Sequence, residues 1–547
     1  MTIKPKIKLL GLSLLSAMLL ILAWPGQNFT FLLFFALCPL LLIEHILSKT
    51  NKSYGWKFIG LCYLSFIIWN AVNTYWLCFA TPEGGIAAIV LNALLMCTPM
   101  FLFYRTKRAL GLNPGYAGLI FYWLSFEYLH LNWELSWSWL TLGNGLSEIP
   151  SLIQWYEFTG VLGGSLWVWL INIMVFFSIT PLFEKSYKKA LKPAGIGFIL
   201  FCLPGILSFM LKPDLNKHDT VEVVVVQPNI DPYFEKYGSM TYTEQVQRMI
   251  SLSDSLVTKS TDVLVWPETA VLYVDIDRLN GQNLIKMIRL FLNKYPDLSL
   301  VTGIVGNRYY NSKKTTTAEP YLNGRFFYDE YNGAIMIDSS LNIPFYFKSK
   351  LVPLVENLPY KSILGKMAID LGGTVGSLGK SKERVAFRSS KVNLAPIICY
   401  ESIYGSFVGE FIDKGADLLL ILTNDAWWYY PENGDGQMTG SKKGYKQHFS
   451  YAKLRAIETR KSIARSANTG ISGFIFPDGS IKKQTTYWVK DVIKMKLPVI
   501  KGKTFYTKHG DYLGRVSGIL TIFIILVMLV SKYTEQYKFR KNAPNGS

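Results

Sequence analysis

The stretch Val221-Glu-Val-Val-Val-Val-Gln227 is a nearly unbroken run of β-branched side chains. It does not alternate apolar with polar, so it reads as a strand covered on both faces. Similar runs recur at residues 262–266, 298–305, 333–338, 391–400, 417–424 and 470–477. Helical patterns lie between several of them, over 243–260, 280–294 and 445–461. Strand and helix alternating in this way predict a layered α/β domain over residues 213–511. Residues 311–324 and 431–444 read as polar surface loops, and there is no internal repeat, low-complexity tract or flexible linker.

Outside this domain the composition changes. Half of the 547 residues are hydrophobic and only 17% are charged, too apolar for a soluble protein of this length. The excess lies in residues 11–212 and in a last block at 516–530. Crossing a bilayer takes about 20 apolar residues. Eight stretches are candidates: 9–24, 29–47, 58–80, 86–104, 116–130, 161–183, 193–211 and 514–529. The first follows Lys4, Lys6 and Lys8 and also fits a signal peptide. Trp24-Pro25-Gly26, however, makes a better hairpin than a small-residue cleavage site, and a second span follows at once. Residues 1–212 are therefore read as a membrane domain of seven helices, and 512–547 as an eighth helix with a tail.

Lys and Arg fall in alternate loops. They occur before the first span, at Lys49, Lys52 and Lys57, at Arg105, Lys107 and Arg108, at Lys185, Lys188, Lys189 and Lys192, and in the tail from Lys532 to Lys541. The loops 25–28, 81–85 and 131–160 contain none. Basic loops stay in the cytoplasm, so both termini are expected there and the α/β domain outside. The net charge of +19 then needs no nucleic-acid partner. What the loops do not explain fits either a basic surface near anionic headgroups or a solvated one.

The chain has six cysteines, and five lie inside apolar segments. Cys399, in Leu394-Ala-Pro-Ile-Ile-Cys-Tyr-Glu-Ser402, is alone in the α/β domain and cannot form a disulfide within it. Two other strand ends also carry ionisable groups. Residues 262–266 run through Pro267 into Glu268; Tyr346-Phe-Lys348-Ser-Lys350 is followed by Glu356. In layered sheets chemistry collects where strands end. A thiol attacks acyl carbon as thiolate and needs a base, for which Glu268 is a candidate. A fixed ammonium would stabilise the oxyanion, and spacing alone does not separate Lys348 from Lys350. His218, His448 and His509 sit in no strand-end motif, which leaves the carboxylate as the more economical base. Each residue alone has a plainer reading: a core thiol, a first-turn cap, a surface lysine.

Together, Trp266-Pro-Glu268-Thr, Lys348-x-x-Leu-Val-Pro-x-x-Glu356 and Cys399-Tyr400-Glu401 resemble the nitrilase superfamily. Gln227-Pro-Asn-Ile230, Thr423-Asn-Asp-Ala-Trp427, Gln447–Glu458 and Arg465-Ser-Ala-Asn468-Thr-Gly-Ile-Ser472 extend the likeness. With such a domain ahead of the last of eight spans, and with Trp137-Ser-Trp139-Leu-Thr-Leu-Gly143 and Gly160-Val-Leu-Gly-Gly-Ser165 in the membrane half, nearly the whole chain resembles the apolipoprotein N-acyltransferase family. The resemblance implies an αββα sandwich with a Glu268–Lys348–Cys399 triad, and it selects Lys348 because the family lysine precedes Leu-Val-Pro by three residues.

It further implies transfer of an acyl chain from a phospholipid, through a Cys399 thioester, to the α-amine of a diacylated apolipoprotein. Glu356 would orient Lys348, Tyr400 and Glu401 would shape the wall beside the thiol, and no metal or cofactor is implied. The enzyme would sit in the bacterial inner membrane as a monomer, with its catalytic domain on the periplasmic side. The chain departs from the family in two places: Pro353-Leu-Val-Glu356 replaces Pro-Phe-Gly-Glu, and the tryptophan after Gln-x-Asn-Ile is missing. Tyr233, Phe234 or Tyr237 would take its place, and Tyr237 and Trp427 are candidate acyl-chain contacts. The aromatic stretches 345–347 and 427–430, with Pro353-Leu-Val, are candidates for dipping into the lipid interface or for core packing. Two rival readings are a membrane-tethered amidase, with water as acceptor, and a non-enzymatic transporter or receptor.

Overall fold

The computed structural model describes residues 5–50, 53–353, 355–357, 360, 378–431 and 438–541. Lys4, Lys52, Leu354, residues 432–437 of the second polar loop and tail residues 542–547 lie outside these.

The α/β domain contains two sheets. In spatial order the first runs Asp491–Pro498, Thr220–Gln227, Val263–Val265, Ser299–Tyr310, Phe326–Ile337 and Glu319–Tyr321. Val271–Asp275 pairs beside Ser299–Tyr310, and Phe345–Phe347 beside Phe326–Ile337. The second runs Ile481–Gln484, Gly473–Ile475, Ile463–Ala467, Leu418–Thr423, Asn393–Ile398 and Phe387–Arg388. The run at 221–227 is apolar throughout because it has neighbours on both faces. Val224 and Val226 pack with Met249 and Ile288 of the helices Tyr242–Asp254 and Asn283–Leu292. Val221, Val223 and Val225 join the core that holds Leu394, Ile397 and Leu420 of the second sheet.

All seven sequence-predicted strand runs contain strands, with bounds shifted by a few residues. Asp491–Pro498 and Ile463–Ala467 were not predicted. The first is an edge strand with a mixed apolar and polar pattern, held by antiparallel pairing with Thr220–Gln227. The second is a five-residue strand carrying a buried arginine and serine.

In the other half, each of the eight apolar stretches is helical over most of its length. Thr30–Lys49, Gly55–Thr74, Pro82–Leu110, Tyr156–Phe183, Tyr187–Lys217 and Tyr512–Thr534 are long and apolar enough to cross a membrane, and Ile7–Ala23 is a shorter apolar helix. The stretch 29–47 is not one continuous helix, as its hydropathy suggested. It is a 3-10 turn, Thr30–Phe34, followed by the helix Cys38–Thr50 with Pro39 in its first turn. The polar groups freed at the break are recovered by Asn172, whose Oδ1 accepts from the N–H of Leu37 (2.8 Å) and Cys38 (3.0 Å). Apolar surroundings tolerate broken helices only where such partners exist. Phe198, Phe209, Ile519, Ile522 and Phe523 are exposed on helices Tyr187–Met210 and Tyr512–Lys541, as side chains facing lipid tails would be.

The halves meet along helix Lys443–Thr459, which is buried on almost every side. Trp139 Nε1 donates to Gln447 Oε1 (2.7 Å) and Tyr451 Oη to the Trp139 carbonyl (3.0 Å). Lys453 pairs with Glu148 (3.1 Å), Arg460 with Glu157 (2.6 Å), and Glu458 accepts from the Val161 N–H (3.1 Å).

Candidate active site

Glu268 follows the end of strand Val263–Val265, where Pro267 directs the chain off the sheet. The turn is pinned to the next strand: Ala270 donates to the Gly303 carbonyl (3.0 Å) and Gly303 to that of Pro267 (3.1 Å). A β-carbon on Gly303 would lie 2.5 Å from the Pro267 oxygen and 2.6 Å from the Glu268 Cα, so only glycine allows this approach.

Lys348 follows strand Phe345–Phe347 and is fully buried. Its Nζ stands 3.2 Å from Glu268 Oε1 and 2.8 Å from Glu356 Oε1. Burial opposes the ammonium charge, but the two carboxylates outweigh it and hold the pKa well above the ordinary lysine value. Asn332 Nδ2 spans the same carboxylates, at 2.7 Å from Glu268 and 3.3 Å from Glu356. The backbone N–H of Asn424 donates to Glu268 Oε2 (3.0 Å), and that of Val352 to Glu356 Oε2 (2.9 Å). The family's glycine before this glutamate is therefore dispensable here: Glu356 still reaches Lys348.

Cys399 lies at the junction of strand Asn393–Ile398 and a 3-10 turn, Cys399–Ile403, with a left-handed backbone (φ +48°). Such strain in a non-glycine residue persists only where the surroundings enforce it, and here it lifts the thiol off the strand. Burial pushes the thiol pKa up, the Glu268 charge adds to this, and Lys348 offsets part of it. The resting sulfur is thus protonated and needs a base.

Glu268, Lys348 and Cys399 line one cavity of about 380 Å³. Part of its wall comes from the membrane half: Trp76, Leu77, Ala80, Thr81, Trp137 and Trp139. Residues 222–500, over half of the chain, match the family model described as carbon-nitrogen hydrolase.

The chain belongs to the carbon-nitrogen hydrolase family.

Its membrane half matches a second model, the apolipoprotein N-acyltransferase N-terminal domain, over residues 16–174. Apolipoprotein N-acyltransferase of Chlorobaculum tepidum is 28% identical over 95% of this chain and 96% of its own. Apolipoprotein N-acyltransferase 1 of Treponema denticola is 26% identical over 96% and 97%. Among solved structures, Saccharomyces cerevisiae Nit3 of the nitrilase superfamily aligns over 51% of this chain and 90% of its own, at 13% identity and a TM-score of 0.35.

The supporting residues of the site divide. Tyr400 lines the cavity and ties it to the membrane half, its hydroxyl donating to the Ser136 carbonyl (2.9 Å). Glu401 was expected in the wall beside the thiol, but it lies fully buried behind it. One oxygen accepts from Tyr346 Oη (2.6 Å) and the Ser349 N–H (2.7 Å), the other from the Ile398 N–H (2.9 Å). It therefore joins the lysine-bearing segment to the cysteine-bearing one. Lys350 points away, to the Leu131 carbonyl (3.2 Å) and over the Tyr404 ring.

Tyr237 and Trp427 both line the cavity. Tyr233 instead packs on Trp427 and Tyr430, and Phe234 borders a separate groove. Of the aromatic stretches, Tyr346 and Phe347 are core, whereas Trp428 wedges against Trp76 (4.5 Å between ring centres) where the two halves meet.

Two features escaped the sequence. His448 bonds Asp425 through Nδ1 (2.9 Å) and reaches the Cys399 carbonyl (3.2 Å) and Ser402 Oγ (3.1 Å) through Nε2. Arg465 completes this brace under the nucleophile at 2.8 Å from Asp425. His448 lies in no strand-end motif; a helix 49 residues after the cysteine carries it there. Lys236 is buried against Thr269, beside Glu268, with burial lowering its pKa to about 8. No sequence signal marked it.

Proposed function

We propose that this chain is a bacterial inner-membrane N-acyltransferase that moves an acyl chain from a phospholipid, through a thioester on Cys399, to the α-amine of the N-terminal diacylglyceryl-cysteine of an apolipoprotein. One observation carries the reading: the cavity that gathers Glu268, Lys348 and Cys399 has apolar membrane-half residues for part of its wall. A hydrolase for soluble amides has no use for such a wall. An acyltransferase whose two substrates are lipids needs one.

In the first half-reaction Glu268 takes the thiol proton as Cys399 Sγ attacks the ester carbonyl. The buried Lys348 ammonium faces the developing oxyanion, where a pre-placed charge in a dry site acts most strongly. The proton then goes to the glycerol oxygen, and lysophospholipid leaves. In the second, the acceptor amine attacks the thioester, and the sulfur departs as thiol with a proton relayed by Glu268. Tyr237, Trp427 and Trp76 supply surface for acyl chains.

The full reading has residues 1–212 and 512–547 as an eight-span membrane domain, 213–511 as a periplasmic catalytic domain, and both termini in the cytoplasm. Support comes from the helix ends. Those carrying Lys49 and Lys107 pair with Glu184 and Glu44, while the opposite ends, at Trp76, Thr81 and Glu157, meet the catalytic domain.

Incubation with phospholipid alone, followed by mass spectrometry, is expected to add one acyl mass to the peptide carrying Cys399. Free fatty acid released with no adduct would favour the amidase-type rival. In the same assay Gly303→Ala is expected to slow adduct formation about a hundredfold, because the added methyl displaces Glu268. An unchanged rate would mean that the turn yields without moving the base.

A further inference from the structure

The second half-reaction has a proton that the triad does not accommodate. An α-amine has a pKa of about 7.7–8.0, so the acceptor arrives mostly as ammonium. Ammonium plus thioester gives amide, thiol and one released proton. Two protons therefore leave nitrogen, and Glu268 relays only one of them to sulfur.

Three carboxylates line the cavity: Glu268, Glu356 and Glu330. The first two share Lys348. Glu330 lies on strand Phe326–Ile337, two residues before Asn332 and so on the same face of the sheet. It is half-buried, and among the described residues its carboxylate has no hydrogen bond and no ion pair. Lys236 bonds Thr269, Arg308 pairs with Asp277, and Lys348 with Glu268 and Glu356; Lys380, next to the Gly379 whose N–H donates to the Glu330 carbonyl, forms no ion pair with Glu330 among the described residues. Burial raises the Glu330 pKa; the phenols Tyr237, Tyr273 and Tyr328 are raised chiefly by their own burial, with the Glu330 charge adding to it.

Two further acceptors flank it unused. Asn332 gives its amide N–H group to the carboxylates, leaving Oδ1 buried without a donor. Asn307, directly across the sheet from Glu330, also has a buried Oδ1 without a donor. A primary ammonium brings three N–H donors and one positive charge, which is what these three groups lack.

We infer that Glu330, flanked by Asn332 and Asn307, receives the acceptor's α-ammonium and takes the first of its two protons. This rests on the acyl-transfer reading. The N–H bond breaks toward the Glu330 carboxylate, which later passes the proton to water. The nitrogen lone pair then forms the C–N bond as the C–S bond breaks, and the second proton reaches sulfur through Glu268.

The test uses full-length enzyme and Glu330→Gln, each first loaded with its acyl thioester from phospholipid. Discharge is then followed with a synthetic diacylglyceryl-cysteine peptide or with hydroxylamine, which is uncharged at neutral pH. About a tenth of an α-amine is free base at neutral pH, so losing the internal base slows peptide discharge about tenfold there. The gap closes as pH rises and the amine deprotonates unaided. Hydroxylamine discharges both proteins alike, and Glu330→Asp, which keeps the charge, recovers much of the neutral-pH rate. Equal peptide discharge by Glu330→Gln and wild type at neutral pH overturns the inference, as does equal slowing with both nucleophiles at every pH. A wild-type protein that forms no thioester overturns instead the acyl-transfer reading on which it rests.

Discussion

Cys399→Ala is expected to abolish acyl transfer, with turnover falling about 10⁴-fold or more and the acyl adduct disappearing from the mass spectrum. The remaining five cysteines lie in the membrane half, and none lines the cavity. The protein should remain folded, since the side chain is small and only partly buried and the loop beneath it is held by Glu401 and His448 rather than by sulfur. Phospholipid-dependent release of lysophospholipid and the melting temperature are the paired measurements. Lysophospholipid release surviving in a well-folded Cys399→Ala protein would remove the thioester from the mechanism.

Lys348→Met carries the second large effect, and it acts in two ways. Loss of a fixed charge aimed at an oxyanion costs about 10²–10³ in rate. The substitution also leaves Glu268 and Glu356 facing each other with only Asn332 between them. Two like charges in a buried site do not both stay ionised, so the base is compromised as well. Removing one partner of a buried ion pair destabilises by about 3–5 kcal/mol, so a lower melting temperature is expected alongside an adduct rate down at least about 10³-fold. Lys350→Met is the contrast: its ammonium rests on the Leu131 carbonyl and the Tyr404 ring, and its loss should leave the rate within a few-fold of wild type. The reverse pattern would mean that the wrong lysine has been assigned.

Much of the fold was legible because burial writes directly into composition. A strand with neighbours on both faces has to be apolar throughout, as 221–227 is, and a helix among lipids has to be apolar all round, as Tyr512–Thr534 is. Elements without an unbroken apolar pattern escaped, such as Ile463–Ala467, which is buried but carries an arginine and a serine. Asp491–Pro498 is a half-exposed edge strand whose place is set by its partner. The break between Phe34 and Cys38 depends on Asn172, a residue more than a hundred positions away.

The site divides along the same line. Glu268, Lys348 and Cys399 each end a strand, and the order of their motifs is local information that one chain displays unaided. The sequence alone therefore determined a membrane half joined to a buried α/β sheet, with a lone thiol, an acid and a base at its strand ends. What the tertiary structure decided is which long-range neighbours complete the site. It set Lys348 between Glu268 and Glu356, turned Lys350 away, buried Glu401 behind the nucleophile, brought His448 beneath it and gave the cavity a wall of membrane-half tryptophans. Among the described residues it also left Glu330 without an ion-pair partner. These outcomes follow from contacts between segments tens to hundreds of residues apart, where side-chain direction and distance, rather than residue type or local spacing, decide what meets what.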